Sequence, residues 1–446
     1  MKKNKTVKGF NMKKNSVVNY KKALATALCV LCASSLFSCG DIEKQLGMAT
    51  QPPETQVVTD AQGDTVIVEK GPYDGLFDSG KVININVTMA PTDRTAMLAS
   101  PETEEYYNAD VTVDGVECKN VGFRTRGNVS YVSTTEGDRF SYKINFGKYT
   151  DGTLNGLDEL CLNNMAYDPS YIREYLTYTA LEELGAPSPL STFANVTVNG
   201  EFAGLYLAVE SVDDSFLNRI YGNSDGTLYK AGRGSTLIGA DTATFEVKNG
   251  DDVSMSQLRK MVSAMSDMTQ LSQCLDISGV LKYTAVNAVI ANEDSYLGEK
   301  ARNYYFYSQN GKLSMIPWDF NLAFGTDTSH RKDEYAIKTE LVNVDFKNPY
   351  FGALPEERPL VASILANENY FAEYKQYVEK LTEFLEKLPE KVQPVKELIA
   401  SHVKNDAKAF YAYELFENEF DASAENSMMG FVKKRAEALR TQLEGN

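Results

Sequence analysis

The chain has 446 residues, 43% hydrophobic and 24% charged, the balance of a globular protein with room for two lobes or domains plus extensions. Its formal charge is −16 and it holds only two histidines, His330 and His402, which argues against a histidine base or a histidine-rich metal site. Carboxylates must carry any acid–base or metal chemistry, and the acidic balance disfavours nucleic acid as a partner.

Residues 1–22 carry eight lysines and no acid, and the apolar run that follows, 23–37, has signal-peptide length. Residues 36–39 (LFSC) resemble a bacterial lipobox, which makes Cys39 the expected lipidated first residue of the mature chain. The expected organisation is a lipoprotein signal peptide over 1–38 and a polar, flexible tether over 39–75, with some strand character at 65–69. This places the protein in a bacterial cell envelope, lipid-anchored and periplasmic or cell-surface. Loss of residues 1–38 leaves a charge of −24, suited to basic partners. Cys118, Cys161 and Cys274 remain, without zinc-type spacing, and read as buried small hydrophobes.

From 77 to 210 the pattern is mostly antiparallel sheet. Residues 82–89 alternate apolar and polar, an Asp-Gly turn at 114–115 divides 111–127, and an Asn-Gly turn at 199–200 divides 193–210. One helix is expected at 168–185, with Asp168 as N-cap, Pro169 in its first turn and Gly185 as its stop. Ile172, Leu176, Ala180 and Leu184 form its apolar stripe. After 211 the balance shifts to helix: 278–292 as a buried helix, then amphipathic helices within 358–400 and 426–443. Within this half, 304–320 reads as a hairpin with an Asn-Gly turn at 310–311.

That hairpin gathers polar residues. A two-residue turn sets its strand ends side by side, so Asn303 and Asp319 are expected to be neighbours, with Asp294 within loop reach. A carboxylate and an amide oxygen on strand ends suit Mg²⁺, which takes few protein ligands and fills the rest with water and phosphate oxygens. A second carboxylate on the loop can orient or deprotonate a hydroxyl. Asp294, Asn303, Asp319 and then Phe320 follow the order of protein-kinase sites, with a longer gap between the first two.

Residues 126–128 (RGN), 163–174 (NNMAYDPSYIRE), 199–210 (NGEFAGLYLAVE), 303–307 (NYYFY) and 316–325 (IPWDFNLAFG) resemble the CotH kinase family, atypical bacterial protein kinases first known from spore coats. The resemblance covers about residues 80–440. It implies an α+β fold, a divergent two-lobed protein-kinase-like arrangement: a sheet-rich N-lobe with one helix over 76–210 and a mostly helical C-lobe over 211–446. It implies ATP as co-substrate, Mg²⁺ or Mn²⁺, and transfer of the γ-phosphate to Ser or Thr hydroxyls of surface or secreted, basic proteins. On this pattern Asp294 is the catalytic acid, and Asp319, Asn303 and Asn321 hold metal. The family usually has a second Asp where Asn321 stands. Lys143, on the face of 139–146 opposite Tyr142, Ile144 and Phe146, is the expected phosphate-binding cation, with Arg126 and Arg139 in reserve. Glu174 is its expected partner, or else an exposed helix charge like Arg173, and Glu210 is expected near the adenine. The alternative reading is a catalytically weak or inactive surface binding protein, an adhesin or scaffold, on the same fold.

Overall fold

The computed structural model describes residues 55–59, 65–69, 71, 73–78, 80–127, 139–328 and 335–445. The expected signal peptide, Cys39 and most of the tether lie outside the described residues. Strands β1 (Thr55–Thr59) and β2 (Thr65–Glu69) pair antiparallel. Tyr73, inside the expected tether, belongs to the core instead: it is buried and its hydroxyl donates to Glu210 Oε1 at 2.8 Å.

Strands β3 (Val82–Met89), β4 (Tyr107–Val113), β5 (Val116–Arg126), β6 (Ser141–Asn145), β7 (Glu159–Asn163), β8 (Ser191–Val198) and β9 (Glu201–Glu210) close into a barrel in the order β3-β4-β5-β6-β7-β9-β8. The turns at Asp114-Gly115 and Asn199-Gly200 have positive φ at both positions, the twist that two-residue hairpins need. Closure comes from a parallel pairing of β3 with β8, Ile83 opposite Ala194. Alternate residues of β3, Ile83, Ile85 and Val87, face the barrel interior with Val111, Phe123, Ile144 and Leu160. From Ala203 onward β9 does not alternate, because both of its faces are covered. Tyr206 and Ala208 point into the barrel, while Leu205, Leu207 and Val209 pack with the helix Arg173–Glu183 and the C-terminal half.

That helix starts later than its local signals indicate. Asp168 does not cap it as a neighbour. Its carboxylate accepts from Ser170 N at 2.9 Å and reaches Arg173 N at 2.8 Å, while Tyr171 takes a positive φ of 64° in the intervening turn. The stripe Ile172, Leu176, Ala180 and Leu184 is buried. Arg173 and Glu174 are buried too, which excludes the exposed-charge reading.

The C-terminal half holds more sheet than expected. Two short strands, β10 (Thr227–Ala231) and β11 (Phe245–Asn249), join the hairpin of β12 (Tyr304–Gln309) and β13 (Lys312–Pro317) in an antiparallel sheet of order β11-β10-β12-β13. Gly226 admits this neighbour, since a Cβ there would lie 2.2 Å from Ser308 O. The helix Ile277–Val289 is buried on nearly every side, against the helix Glu368–Lys391 and β13 among others, and Arg435 of the helix Met428–Glu444 donates to Ala288 O and Val289 O at its end. No helix among the described residues is long and apolar enough to cross a membrane. Cys161 and Cys274 are buried free thiols, whereas Cys118 is half-exposed.

Candidate active site

A cavity of about 980 Å³ opens between β5–β7 of the barrel and the sheet and loops that follow β9. It is lined by Lys143, Arg126, Glu174, Asp294, Asn303, Asp319 and Asn321 among the residues singled out above. Glu210 and Arg139 are not on its wall.

The loop after the helix Ile277–Val289 is built by amides. Asn287 donates to Tyr283 O at 2.8 Å, Asn292 donates to Asn287 Oδ1 at 2.9 Å, and Asn292 Oδ1 accepts from Asp294 N at 3.2 Å. This holds Asp294 at 3% exposure. Arg302 grips its carboxylate with both arms, Nε to Oδ1 at 3.0 Å and Nη2 to Oδ2 at 2.7 Å, and Lys300 Nζ lies 3.2 Å from Oδ1. Burial works to raise the Asp294 carboxyl, but Arg302 and then Lys300 hold it below its usual range. Asn303, at φ 65°, donates to Asp294 O at 2.7 Å and Oδ2 at 3.1 Å, and more weakly to Asp319 O at 3.5 Å. Its carbonyl accepts from Trp318 N at 3.3 Å, extending the β12–β13 ladder by one step. The structure thus brings Asp294, Asn303 and Asp319 together.

Asp319 is half-buried at φ 61° between the buried rings of Trp318 and Phe320. Tyr305 meets Trp318 edge-on at 6.0 Å, and Tyr178 meets Phe320 at 5.8 Å. No donor among the described residues reaches the Asp319 carboxylate or the Asn321 amide. Burial, and then the Asp294 charge, push the Asp319 carboxyl up; Arg126, Arg302 and Lys230 pull it back. An acid left in that condition fits a cation. Asp319, the Asn303 Oδ1 left over from the bonds made by Nδ2, and Asn321 together offer the hard oxygens that Mg²⁺ takes. No cluster of three or more His, Cys, Asp or Glu forms a ready cation cage among the described residues, so protein ligands would be few.

The barrel side needs correction. Lys143 pairs with Glu159 on the adjacent strand β7, not with Glu174, because β6 and β7 are neighbours in the barrel. Glu174 accepts from Asn163 Nδ2 at 2.7 Å and Tyr178 OH at 2.8 Å. Asn163 in turn accepts from Arg126. The cation that the helix acid positions is therefore Arg126, whose guanidinium lies 5.8 Å from the Trp318 ring centre. Glu210 is corrected as well: fully buried, it is consumed by Arg219, Tyr73 OH and Leu190 N, and it ties the barrel end together. Arg139 is spent on Asp406 at 2.6 Å. Gly127 N donates to Glu104 Oε1 at 2.9 Å, and Asn128 lies outside the described residues.

Sequence reasoning missed Arg302, Lys300, Lys230, Glu159 and Asn163. Only Arg302 and Asn163 left a trace: Arg302 immediately precedes Asn303, and Asn163 opens a recognised block. Burial, then Asp319, push the Glu174 carboxyl up. An acid raised on folding costs stability progressively as pH climbs from its unfolded value through its folded one. Glu174→Gln is therefore expected to gain about 2 °C in melting temperature at pH 8 and little at pH 5. Scanning fluorimetry at the two pH values checks this, and an equal change at both would count against it.

A family model described as CotH kinase protein matches residues 123–439. Inner spore coat protein H of Bacillus subtilis (strain 168) is 26% identical over 325 residues, covering 68% of this chain and 83% of that protein. The inner spore coat protein H-like protein of the same organism is 34% identical over 92 residues, 20% of this chain and 29% of its own. Among solved structures, a chain of the Shewanella oneidensis MR-1 toxin–antitoxin complex of HipA, HipB and operator DNA aligns at 14% identity with a TM-score of 0.30, over 64% of this chain and 57% of that one. The match over 123–439 takes in the cavity wall from Arg126 to Asn321, and on it the chain belongs to the CotH kinase protein family.

Proposed function

We propose that the protein is an ATP-dependent protein kinase. It transfers the γ-phosphate of ATP to Ser or Thr hydroxyls of surface or secreted proteins, basic ones by charge complementarity with a mature chain at −24. The barrel region 76–210 serves as the nucleotide-binding lobe and 211–446 as the catalytic lobe, and a lipid on Cys39 holds both at the cell envelope. One observation carries this reading. The Asp319 carboxylate, which no donor among the described residues reaches, stands beside Asn303 and Asp294 in a cavity whose other wall carries Arg126 and Lys143.

Asp319, Asn303 and Asn321 would hold Mg²⁺ or Mn²⁺, which when bound neutralises charge on the phosphate oxygens. Arg126, positioned by Asn163 and Glu174, and Lys143, positioned by Glu159, hold the phosphate chain. Asp294 is too well paired to be a strong base. It orients the acceptor hydroxyl and accepts its proton late, as a loose transition state requires. Arg302 and Lys300 fix that carboxylate in place.

The second reading is a scaffold that binds nucleotide without turnover. It is favoured by the bidentate hold of Arg302 on both Asp294 oxygens. The purified full chain, given γ-labelled ATP, Mg²⁺ and a basic Ser-rich protein, is expected to label the acceptor. Asp294→Asn is expected to cut labelling by about 10²–10⁴-fold while the thermal shift with MgATP persists. A shift without labelling in the wild type selects the scaffold, and neither signal overturns both readings.

A further inference from the structure

The cavity's cations are not equivalent. Lys143 pairs with Glu159, Arg302 with Asp294, and Arg124 with Glu104. Among the described residues, two half-buried cations on the wall have no carboxylate within ion-pairing distance: Arg126 and Lys230. Arg126 has the neutral Asn163 amide. Lys230 lies over the ring of its cross-strand neighbour Tyr305, 5.9 Å from its Nζ. The acid beside it on β11, Glu246, is taken by Lys248 at 2.9 Å.

The charges around Lys230 are mostly of its own sign. After burial, Arg126, Lys248 and Lys143 all work against its ammonium, and Glu246 supports it. A half-buried ammonium set among like charges, with no carboxylate close enough to pair, costs stability. Such an arrangement is retained where a ligand supplies the missing charge. The two groups also divide the labour of holding an oxyanion: a planar two-armed guanidinium from the barrel and a compact ammonium from the C-terminal sheet.

We infer that Lys230 and Arg126 form a phosphate seat across the cavity, taking the terminal phosphoryl group of a nucleoside triphosphate. The identity of that anion rests on the kinase reading above; the seat itself does not. The seat spans both walls, since β5 supplies Arg126 and β10 supplies Lys230, so an occupied seat draws the barrel and the C-terminal sheet together.

Trp318, the only tryptophan in the chain, lies against Arg126 and Tyr305 and reports on the seat. Inorganic tripolyphosphate, titrated into the full chain without metal, is expected to change Trp318 fluorescence. Lys230→Met is expected to weaken that binding at least about tenfold, and Lys230→Arg by no more than about threefold. Without anion, Lys230→Met is expected to melt at or above the wild-type temperature, because it removes an unpaired cation and keeps the side-chain stem. Equal tripolyphosphate affinity in wild type and Lys230→Met overturns the seat, and so does an anion-free melting temperature well below wild type. If the wild type binds tripolyphosphate but not ATP, the nucleotide reading falls and the seat stands. If ATP binds wild type and Lys230→Met alike, the seat falls and the nucleotide reading stands.

Discussion

Asp319→Asn is expected to abolish phosphoryl transfer, by about 10³-fold or more, and to leave the protein folded. The two halves of this expectation have separate causes. Asparagine tolerates the positive φ of 61° at this position, so the backbone keeps its course. The substitution also removes a carboxylate that no donor among the described residues reaches and that burial and Asp294 disfavour. An acid raised on folding takes away stability as pH rises above its unfolded value, so the variant gains most in neutral and alkaline solution. What is lost is the negative charge facing the phosphate chain, and a metal held by Asn303, Asn321 and a third amide would be held weakly. Label transfer and the Mg²⁺-dependent part of the ATP thermal shift are the measurements. Retention of activity within tenfold would remove Asp319 from the metal site, and a large fall in melting temperature would make it a structural residue instead.

The adjacency on which that prediction depends was legible because a two-residue Asn-Gly turn leaves no freedom of register. Tyr304 must face Pro317, and the next step outward is Asn303 and Trp318. The partner of Lys143 was not legible. Alternation tells which face of β6 the lysine occupies, but not that β7 rather than the helix lies beside it. The same limit hid the barrel: β3 and β8 lie about a hundred residues apart, and their parallel pairing leaves no local mark. Strands β10 and β11 escaped because five residues with a lysine among them carry little periodicity, so Lys230 was never placed on a wall. Asp168 and Pro169 misled for a different reason. The acid does satisfy a helix-start amide, but five residues on, after Tyr171 turns the chain.

That turn is held by a charge cluster whose removal is expected to have the largest effect on stability. Arg173 is 0% exposed and contacts Asp168, Ser170 Oγ at 3.3 Å, Glu419 Oε2 at 2.8 Å and Tyr335 OH. It joins the start of the helix Arg173–Glu183 to the helix Tyr413–Glu419. Arg173→Met preserves volume but strands two buried carboxylates, at a cost of about 3–5 kcal/mol. The melting temperature should fall by roughly 4–6 °C. Lysine should not restore it, because one ammonium cannot span acceptors that a guanidinium reaches in a plane. The loss should also depend on pH. Burial already raises the Glu419 carboxyl, with Arg173 opposing it. Without the arginine it rises further, so the penalty grows as pH climbs above the usual glutamate range and shrinks near pH 5. Adding Glu419→Gln to Arg173→Met should recover part of the loss at pH 8, and the double-mutant cycle measures that coupling. A melting temperature within 1–2 °C of wild type for Arg173→Met would sink the argument. Because Glu174 follows directly, the same variant should also loosen the Glu174–Asn163–Arg126 relay, and transfer should fall further than the folded fraction alone accounts for.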